Sequence, residues 1–200
     1  MKLKRDFYIR ENVVLIAQEL LGKVLFTKMH GKITAGIISE TEAYEGVTDR
    51  ASHAYNHRRT ARTEMMYAVG GTAYVYLCYG IHHLFNVVTN EKDVPHAVLI
   101  RAIKPYEGVD TILKRRNLTP RPPLLKESGW GRGICNGPGT VSQGLGIKTS
   151  HTGIDVLGKT IWVEDRKIKI LKSDIIKKPR IGVDYAGTDA LLPYRFMIKI

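Results

Sequence analysis

Cysteine is scarce in this chain, which has only Cys78 and Cys135 among its 200 residues. Two cysteines exclude a disulfide framework and a four-cysteine zinc site, and they fit a protein of the reducing cytoplasm. Long apolar runs are also missing, since no stretch approaches the ~20 residues that a bilayer-spanning helix needs. The first residues, MKLKRDF, are basic but lack a following apolar segment, so we expect no signal peptide and a cytoplasmic protein.

Acidic side chains are outnumbered, because 19 Asp and Glu stand against 31 Lys and Arg, which gives a formal charge of +12. A basic excess of this size is typical of a protein with a polyanionic partner. Without a membrane segment, nucleic acid is the leading candidate. A basic surface that only keeps the protein in solution is the alternative.

Strand patterns outnumber helix patterns along the chain. Short helices are predicted after a cap at Asn12, over Val109–Asn117 and over Pro138–Leu145, and the prolines and glycines of residues 118–139 predict a long loop. Strands are predicted at Lys23–Met29, Ile33–Tyr44, 72–80, Leu84–Thr89, Ala97–Lys104, Thr160–Val163, Lys167–Leu171 and Tyr194–Ile200. Because no regular βαβ alternation is visible, we expect one α+β domain over residues 1–200.

Residues Gly153–Thr160 satisfy the phosphate-loop pattern GxxxxGK[ST]. In a working phosphate loop, small residues let backbone N–H groups face the phosphates, and a helix begins at the lysine. Here bulky residues fill the interior and the strand-like Ile161–Val163 follows. The pattern therefore predicts a turn between strands, and a nucleotide hydrolase stays an alternative that rests on this pattern alone.

His53 and His57 are four residues apart, a spacing that can place two zinc ligands on one helix face. The glutamate of an HExxH motif is absent, and the surrounding ASHAYNHRRT does not indicate a helix. We therefore expect no metal site, and expect these histidines to be polar surface or to contact phosphate and substrate.

Glu40, Glu42 and Tyr44 alternate along a predicted strand, which points all three side chains to one face. An exposed strand edge is the ordinary place for such glutamates. These two, however, lie between apolar strand residues and an Arg- and His-rich segment. A carboxylate that faces a basic groove indicates catalytic chemistry.

Tyr74, Tyr76 and Tyr79 concentrate aromatic rings in one predicted strand, and Phe85 follows closely. Packing in the core is the simpler interpretation for Tyr74 and Phe85. Tyr79 precedes Gly80 at the strand end, where a tight turn can direct the ring into solvent. On a basic protein such a ring is typical of a stacking platform or of a wedge between base pairs. A core tyrosine is the alternative.

Six strings are distributed along the chain between Glu40 and Gly187: ETEAY at Glu40–Tyr44, SHAYNHRRTARTEMMY at Ser52–Tyr67, GGTAYVYLCYGIHHLFNVV at Gly70–Val88, AVLIRAIKPYEG at Ala97–Gly108, NGPGTVSQGLGI at Asn136–Ile147 and RIGVDYAG from Arg180. ETEAY and YVYLCYG are specific in combination. In this order, the strings resemble the 3-methyladenine (alkyladenine) DNA glycosylase family. The resemblance implies an α+β domain with a curved antiparallel β-sheet core, short flanking helices and no helix-hairpin-helix.

The resemblance further implies a monomer that binds duplex DNA with damaged purines, without a cofactor, a metal ion or a membrane. By motif match, Glu42 is the base that activates water, and Arg101 helps to hold that water. Tyr44 and Tyr76 sandwich the purine that is flipped out of the duplex. The expected product is an abasic site without strand cleavage. A DNA-binding module without catalysis is the alternative, although it leaves Glu42 without a purpose.

Three further roles follow from the same resemblance. His53 forms a hydrogen bond at the pocket, Asn86 lines its floor and disfavours normal guanine, and Tyr79 is the wedge that fills the gap in the duplex. The segment Thr119–Gly133 is basic and rich in proline. The resemblance assigns no DNA contacts to this segment.

Overall fold

An antiparallel sheet of eight strands organises the chain, and the computed structural model describes it over residues 1–119 and 133–199. The strands are β1 Val24–Met29, β2 Lys32–Tyr44, β3 Ala73–Cys78, β4 His82–Thr89, β5 His96–Glu107, β6 Ile161–Glu164, β7 Ile175–Lys178 and β8 Arg195–Ile198. They pair in the order β3-β4-β5-β2-β1-β6, and β8 pairs with both β2 and β7. The predicted α+β fold is confirmed.

In the described part of the chain, four short α-helices accompany the sheet: α1 Arg5–Tyr8, α2 Val13–Glu19, α3 Val109–Arg115 and α4 Pro138–Leu145. Asn12 caps α2 as predicted, because its Oδ1 accepts the Leu15 N–H at 2.8 Å. Within the described ranges, no helix has the length and apolar character that crossing a membrane requires.

Strand β2 is the centre of the sheet, because it pairs with β5 along one edge and with β1 and then β8 along the other. Its register against β5 shifts between Ile38 and Glu40 and again between Glu40 and Thr41. Such irregularities bend a strand and redirect its side chains. The bend therefore lies directly before Glu42.

The main hydrophobic core lies between the sheet and the helices. Ile16 of α2, Ile112 of α3 and Leu145 of α4 pack with Phe85 and Phe196 of the sheet, and all five are at most 1% exposed. This packing confirms the core position predicted for Phe85. It leaves the opposite face of strands β2 to β5 available for a site.

Two predictions on the C-terminal half need correction. The strand predicted at Lys167–Leu171 is wrong: these residues have no regular structure, and β7 forms at Ile175–Lys178 instead. Lys167 adopts a left-handed φ of +59°, which interrupts an extended chain, and the apolar alternation reflects Ile168 and Ile170 packing onto the core. The predicted strand at Tyr194–Ile200 is shorter, as β8. The loop expected at 118–139 and the segment Thr119–Gly133 lie largely outside the described residues.

The phosphate-loop pattern at Gly153–Thr160 forms turns, as predicted. Strand β6 begins at Ile161, directly after the Lys-Thr pair, so no helix N-terminus is available to bind a phosphate there. Asp155 within the pattern forms an ion pair with Arg5 at 2.6 Å. The nucleotide-hydrolase alternative therefore loses its structural basis.

Gly108, at the junction between β5 and α3, yields a stability prediction. Its φ is +66°, and a Cβ atom there would lie 2.3 Å from the Ile33 carbonyl oxygen. Gly31 offers a matched control, since its φ is +76° but no atom lies within 4 Å of such a Cβ. In urea unfolding, Gly31→Ala should cost about 1–2 kcal/mol from backbone strain alone, and Gly108→Ala should cost clearly more. Equal losses would contradict a steric role for Gly108.

Candidate active site

One cavity of about 450 Å³ collects every residue that was predicted to form a site. These residues are Glu42, Arg101, Tyr44, His53, Tyr76, Asn86 and Tyr79. The sheet forms its floor, because Glu42 and Asn86 are both register partners of Leu99, and Tyr74 is the partner of Asn86. Paired residues on antiparallel strands share a face. Four adjacent strands thus bring together residues that are far apart in sequence.

The Glu42 carboxylate is the most deeply buried charge of the cavity, with 0% of the residue exposed. Its Oε2 accepts the Tyr44 hydroxyl at 2.8 Å, and its Oε1 accepts the Ile181 backbone N–H at 2.9 Å. Arg101 Nη1 lies 3.2 Å from the same Oε1. A buried carboxylate needs such donors, because desolvation without them is costly. The arrangement fixes the carboxylate against the cavity.

Arg101 joins Glu42 to the second glutamate. Its Nε donates to Glu40 Oε1 at 3.1 Å, and Arg195 Nη1 lies 3.3 Å from the same oxygen. Glu40 does not line the cavity, whereas Arg101 does. Glu40 therefore orients Arg101 through an ion pair from outside the cavity.

Tyr44 is held from behind by a buried ion pair that the sequence did not reveal. Arg180 lies over the Tyr44 ring at 4.9 Å from its centroid, and donates to Asp49 through both terminal nitrogens, with Nη2 2.8 Å from Oδ1. Burial, followed by the Glu42 charge, raises the pKa of Tyr44 well above its usual value. The Tyr44 hydroxyl therefore keeps its proton and donates a hydrogen bond to Glu42.

His53 lies across the cavity against two tyrosines. Its Nδ1 is 2.9 Å from the Tyr74 hydroxyl, and its ring meets Tyr76 edge-on at 4.6 Å between centroids. Burial, helped by the charges of Arg62 and Arg58, lowers the pKa of His53 to about 4. The imidazole is therefore neutral at pH 7 and can present one N–H or one lone pair to a ligand.

Asn86 is 3% exposed and lines the cavity, as predicted. Its amide nitrogen donates to the Tyr74 carbonyl at 3.1 Å and to the Leu84 carbonyl at 3.3 Å. These bonds fix the orientation of the side chain. Tyr74 is buried as expected, yet it also contributes to the cavity wall.

Tyr79 lies at the rim of the cavity, on the turn between β3 and β4, and is 89% exposed. Its φ is +51° and that of Gly80 is +73°, while the Ile81 N–H donates to the Cys78 carbonyl at 3.2 Å. Two successive left-handed residues define a type I′ hairpin turn. The exposure excludes the alternative of a core tyrosine. A bulky residue rarely adopts this backbone conformation, and such outliers concentrate at functional positions.

Several cavity residues were missed by sequence reasoning. Ile181 and Tyr185 line the cavity, and Arg180 with Asp49 supports it from behind. The string RIGVDYAG carries three of these residues, so it marked their place but assigned them no role. Asp49 carried no signal, because its partner Arg180 lies 131 residues further along the chain.

His53 and His57 do not share a helix face. The turn Tyr55–His57 contains left-handed backbone at Asn56 (φ +53°) and His57 (φ +59°). Over residues 1–119 and 133–199, no three His, Cys, Asp or Glu side chains are grouped as a metal ion would require.

The lowered pKa of His53 predicts a pH dependence of stability. In the unfolded chain His53 gains a proton below about pH 6.5, whereas in the folded protein it does so only near pH 4. The unfolded state therefore binds more protons between these values, and stability falls as the pH is lowered through this window. Relative to His53→Gln, the wild type should lose on the order of 1–3 kcal/mol between pH 7 and pH 4. If urea unfolding gave the wild type and His53→Gln the same dependence of stability on pH, the neutral, buried imidazole would be contradicted.

The comparisons with known proteins agree with this geometry. Residues 6–200 match the family model described as Methylpurine-DNA glycosylase (MPG). A protein of Chlamydia abortus is 46% identical over 198 residues, covering 99% of this chain and 98% of its own. One from Clostridium perfringens is 42% identical over 200 residues, covering 100% and 96%. A third, from Desulfitobacterium hafniense, is 39% identical over 198 residues, covering 99% and 95%.

All three relatives carry the name "Putative 3-methyladenine DNA glycosylase". The family match extends over nearly the whole chain, and the aligned lengths of the relatives agree with it. The chain therefore belongs to the methylpurine-DNA glycosylase family, whose members are hydrolases that act on N-glycosyl bonds in DNA.

Proposed function

We propose that this protein flips an alkylated or deaminated purine out of duplex DNA and hydrolyses its N-glycosidic bond with water activated by Glu42. The observation that carries the proposal is the Glu42 carboxylate, which is fully buried at the wall of a cavity lined by tyrosine rings. The product is an abasic site. The protein acts as a monomer and without a cofactor.

The chemistry requires a carboxylate beside the sugar. Cleavage of an N-glycosidic bond passes through an oxocarbenium-like sugar, which a nearby carboxylate stabilises while it takes the proton of the attacking water. A positioned general base contributes about 10²–10⁴ in rate. Arg101, 3.2 Å from Glu42, is placed to hold that water together with the carboxylate. Because no lysine lies among the described residues that line the cavity, hydrolysis without strand cleavage is expected.

The tyrosine rings of the cavity account for which nucleobase the protein selects. Tyr44 and Tyr76 come from β2 and β3 and both line the cavity, so a flipped purine can lie between them. A methylated purine carries a positive charge, which electron-rich rings attract. Neutral His53 presents a hydrogen-bonding edge to the base. The fixed amide of Asn86 disfavours the exocyclic amino group of a normal guanine.

Tyr79 completes the proposal as the wedge. Flipping costs a few kcal/mol, and less for a lesioned or mismatched base. An exposed ring on a rigid turn can enter the duplex and replace the stacking that the flipped base gives up. The Tyr79 ring is directed outward at the rim of the same cavity.

Glu42→Gln tests the base. The amide keeps the shape of the side chain but cannot take a proton, so purine release from alkylated duplex DNA should be abolished. Affinity for the same duplex should change by less than about tenfold. Single-turnover excision and fluorescence anisotropy measure the two quantities, and the melting temperature checks folding. Glu40→Gln is the matched control: it weakens the ion pair that orients Arg101, so excision should fall but should not be abolished. If Glu42→Gln still released the base and Glu40→Gln did not, the role of general base would move to Glu40.

Tyr79→Ala tests the wedge. Because the side chain is 89% exposed, the melting temperature should stay unchanged. The loss of stacking is about 1–3 kcal/mol, so single-turnover excision should fall about 5- to 150-fold for a well-paired lesion and much less opposite a mismatch that unstacks readily. Tyr106→Ala, another exposed tyrosine that does not line the cavity, is the control. A uniform loss on both duplexes would remove Tyr79 from the site.

A further inference from the structure

A second cavity, of about 850 Å³, lies on the other side of the hairpin that carries Tyr79. Leu77, Cys78 and Tyr79 line the first cavity, whereas Ile81, His82 and His83 line the second. The turn between β3 and β4 is therefore a wall shared by both cavities. Any ligand of the second cavity lies beside the point where the wedge would enter the duplex.

Basic and imidazole side chains line this second cavity, and no carboxylate does so among the described residues. The groups are His30, His82, His83, His151, Arg115 and Lys148. They come from the β1–β2 turn, β4, α3 and the segment after α4, so distant parts of the chain converge here. Such a lining is suited to an anion.

The local hydrogen bonds direct donors into the cavity. His83 Nδ1 accepts the Thr149 N–H at 3.2 Å, and His151 Nδ1 accepts the Lys148 N–H at 2.9 Å, with the Lys148 carbonyl at 3.2 Å. A neutral imidazole whose Nδ1 accepts a hydrogen bond has its proton on Nε2. Both rings can therefore donate through Nε2. Among the residues that the structure describes, Arg115 has neutral oxygens as partners, Thr34 Oγ1 at 3.1 Å and the Gly144 carbonyl at 3.2 Å, and no carboxylate compensates its charge there.

A buried hydroxyl points to the same conclusion independently. Ser142 on α4 is 0% exposed and lines the second cavity, and its Oγ has no hydrogen-bond partner in the described part of the chain. Buried polar atoms in folded proteins nearly always have a partner, so an unsatisfied one calls for a ligand or a bound water. A phosphate oxygen accepts from a hydroxyl, from an imidazole N–H and from Arg or Lys alike.

We propose that the second cavity binds a phosphate of the DNA backbone beside the wedge, on the opposite side of the hairpin from the flipped base. The assignment rests on the proposed function, because DNA is the polyanion that this hairpin meets. Contacts to the first cavity determine which base is excised. The second cavity adds affinity and fixes the position of the duplex relative to Tyr79, without any contact to the base.

Salt-dependent DNA binding tests the assignment. The variant Lys148→Ala/His82→Ala removes two exposed groups of the cavity, and Lys159→Ala removes an exposed lysine outside it. Fluorescence anisotropy with a duplex that contains an abasic-site analogue gives the dissociation constant over a range of salt concentrations. We expect the slope of log K against log salt to fall in magnitude by about 1 for the double variant, with severalfold weaker binding at low salt. Lys159→Ala should behave as wild type.

Excision is measured in the same proteins with enzyme in excess and DNA saturated. Because the Glu42 cavity and Tyr79 itself are intact, the rate should fall much less in the double variant than in Tyr79→Ala. An unchanged slope in the double variant, or an equal change in Lys159→Ala, would overturn the assignment. A second result would also overturn it. If inorganic phosphate raised the melting temperature of the wild type but not of the double variant, and the double variant bound DNA as the wild type does, the cavity would hold a free anion. If the wild-type protein bound DNA but released no base, the proposed function would be refuted. The comparison of salt dependence between the wild type and the double variant would still test the phosphate site.

Discussion

The burial of one carboxylate constrains the rest of this structure. Glu42 lies in the central strand of the sheet, where desolvation disfavours a charge, and its three donors come from three different parts of the chain. Removing one partner of such a buried pair generally costs about 3–5 kcal/mol. The strand β2, the strand β5 with Arg101 and the segment with Ile181 must therefore come together before the carboxylate can be accommodated. The bond from the Ile181 N–H to Glu42 therefore also ties the C-terminal segment to the sheet.

A second ion pair fixes the geometry that this carboxylate needs. Arg180 is 5% exposed and also donates to the Ala43 carbonyl at 2.9 Å, one residue from both Glu42 and Tyr44. Arg180 thus holds the backbone of β2 and one face of the Tyr44 ring at once, while Asp49 balances its charge. Because Arg180 covers one face of Tyr44, the proposed function leaves only the other face for a base. The ion pair acts on the site by positioning, since neither charged group lines the cavity.

Local sequence patterns sufficed for most of the sheet but not for the supports of the site. Strand-forming residue types and turn signals located the central strands, whose side chains do alternate between core and cavity. They failed at Lys167–Leu171, where Ile168 and Ile170 pack inward but the described residues provide no strand to pair with. The motif match identified the residues that face the cavity. It could not supply Asp49, since an ion pair across 131 residues leaves no trace in a local window.

The hairpin between β3 and β4 shows how the two cavities depend on one backbone feature. Left-handed conformations at Tyr79 and Gly80 close a tight turn, which separates Tyr79 at the first cavity from Ile81 at the second. In the proposed complex, a longer or looser loop would let the Tyr79 wedge move relative to Glu42, and a displacement of about 1 Å can lower the rate of a reaction by a factor of about 100. Because His82 and His83 continue from the turn into β4, a duplex that the second cavity holds as proposed is held in register with the wedge. In that complex, this one turn sets the distance between the flipped base and the backbone that it left.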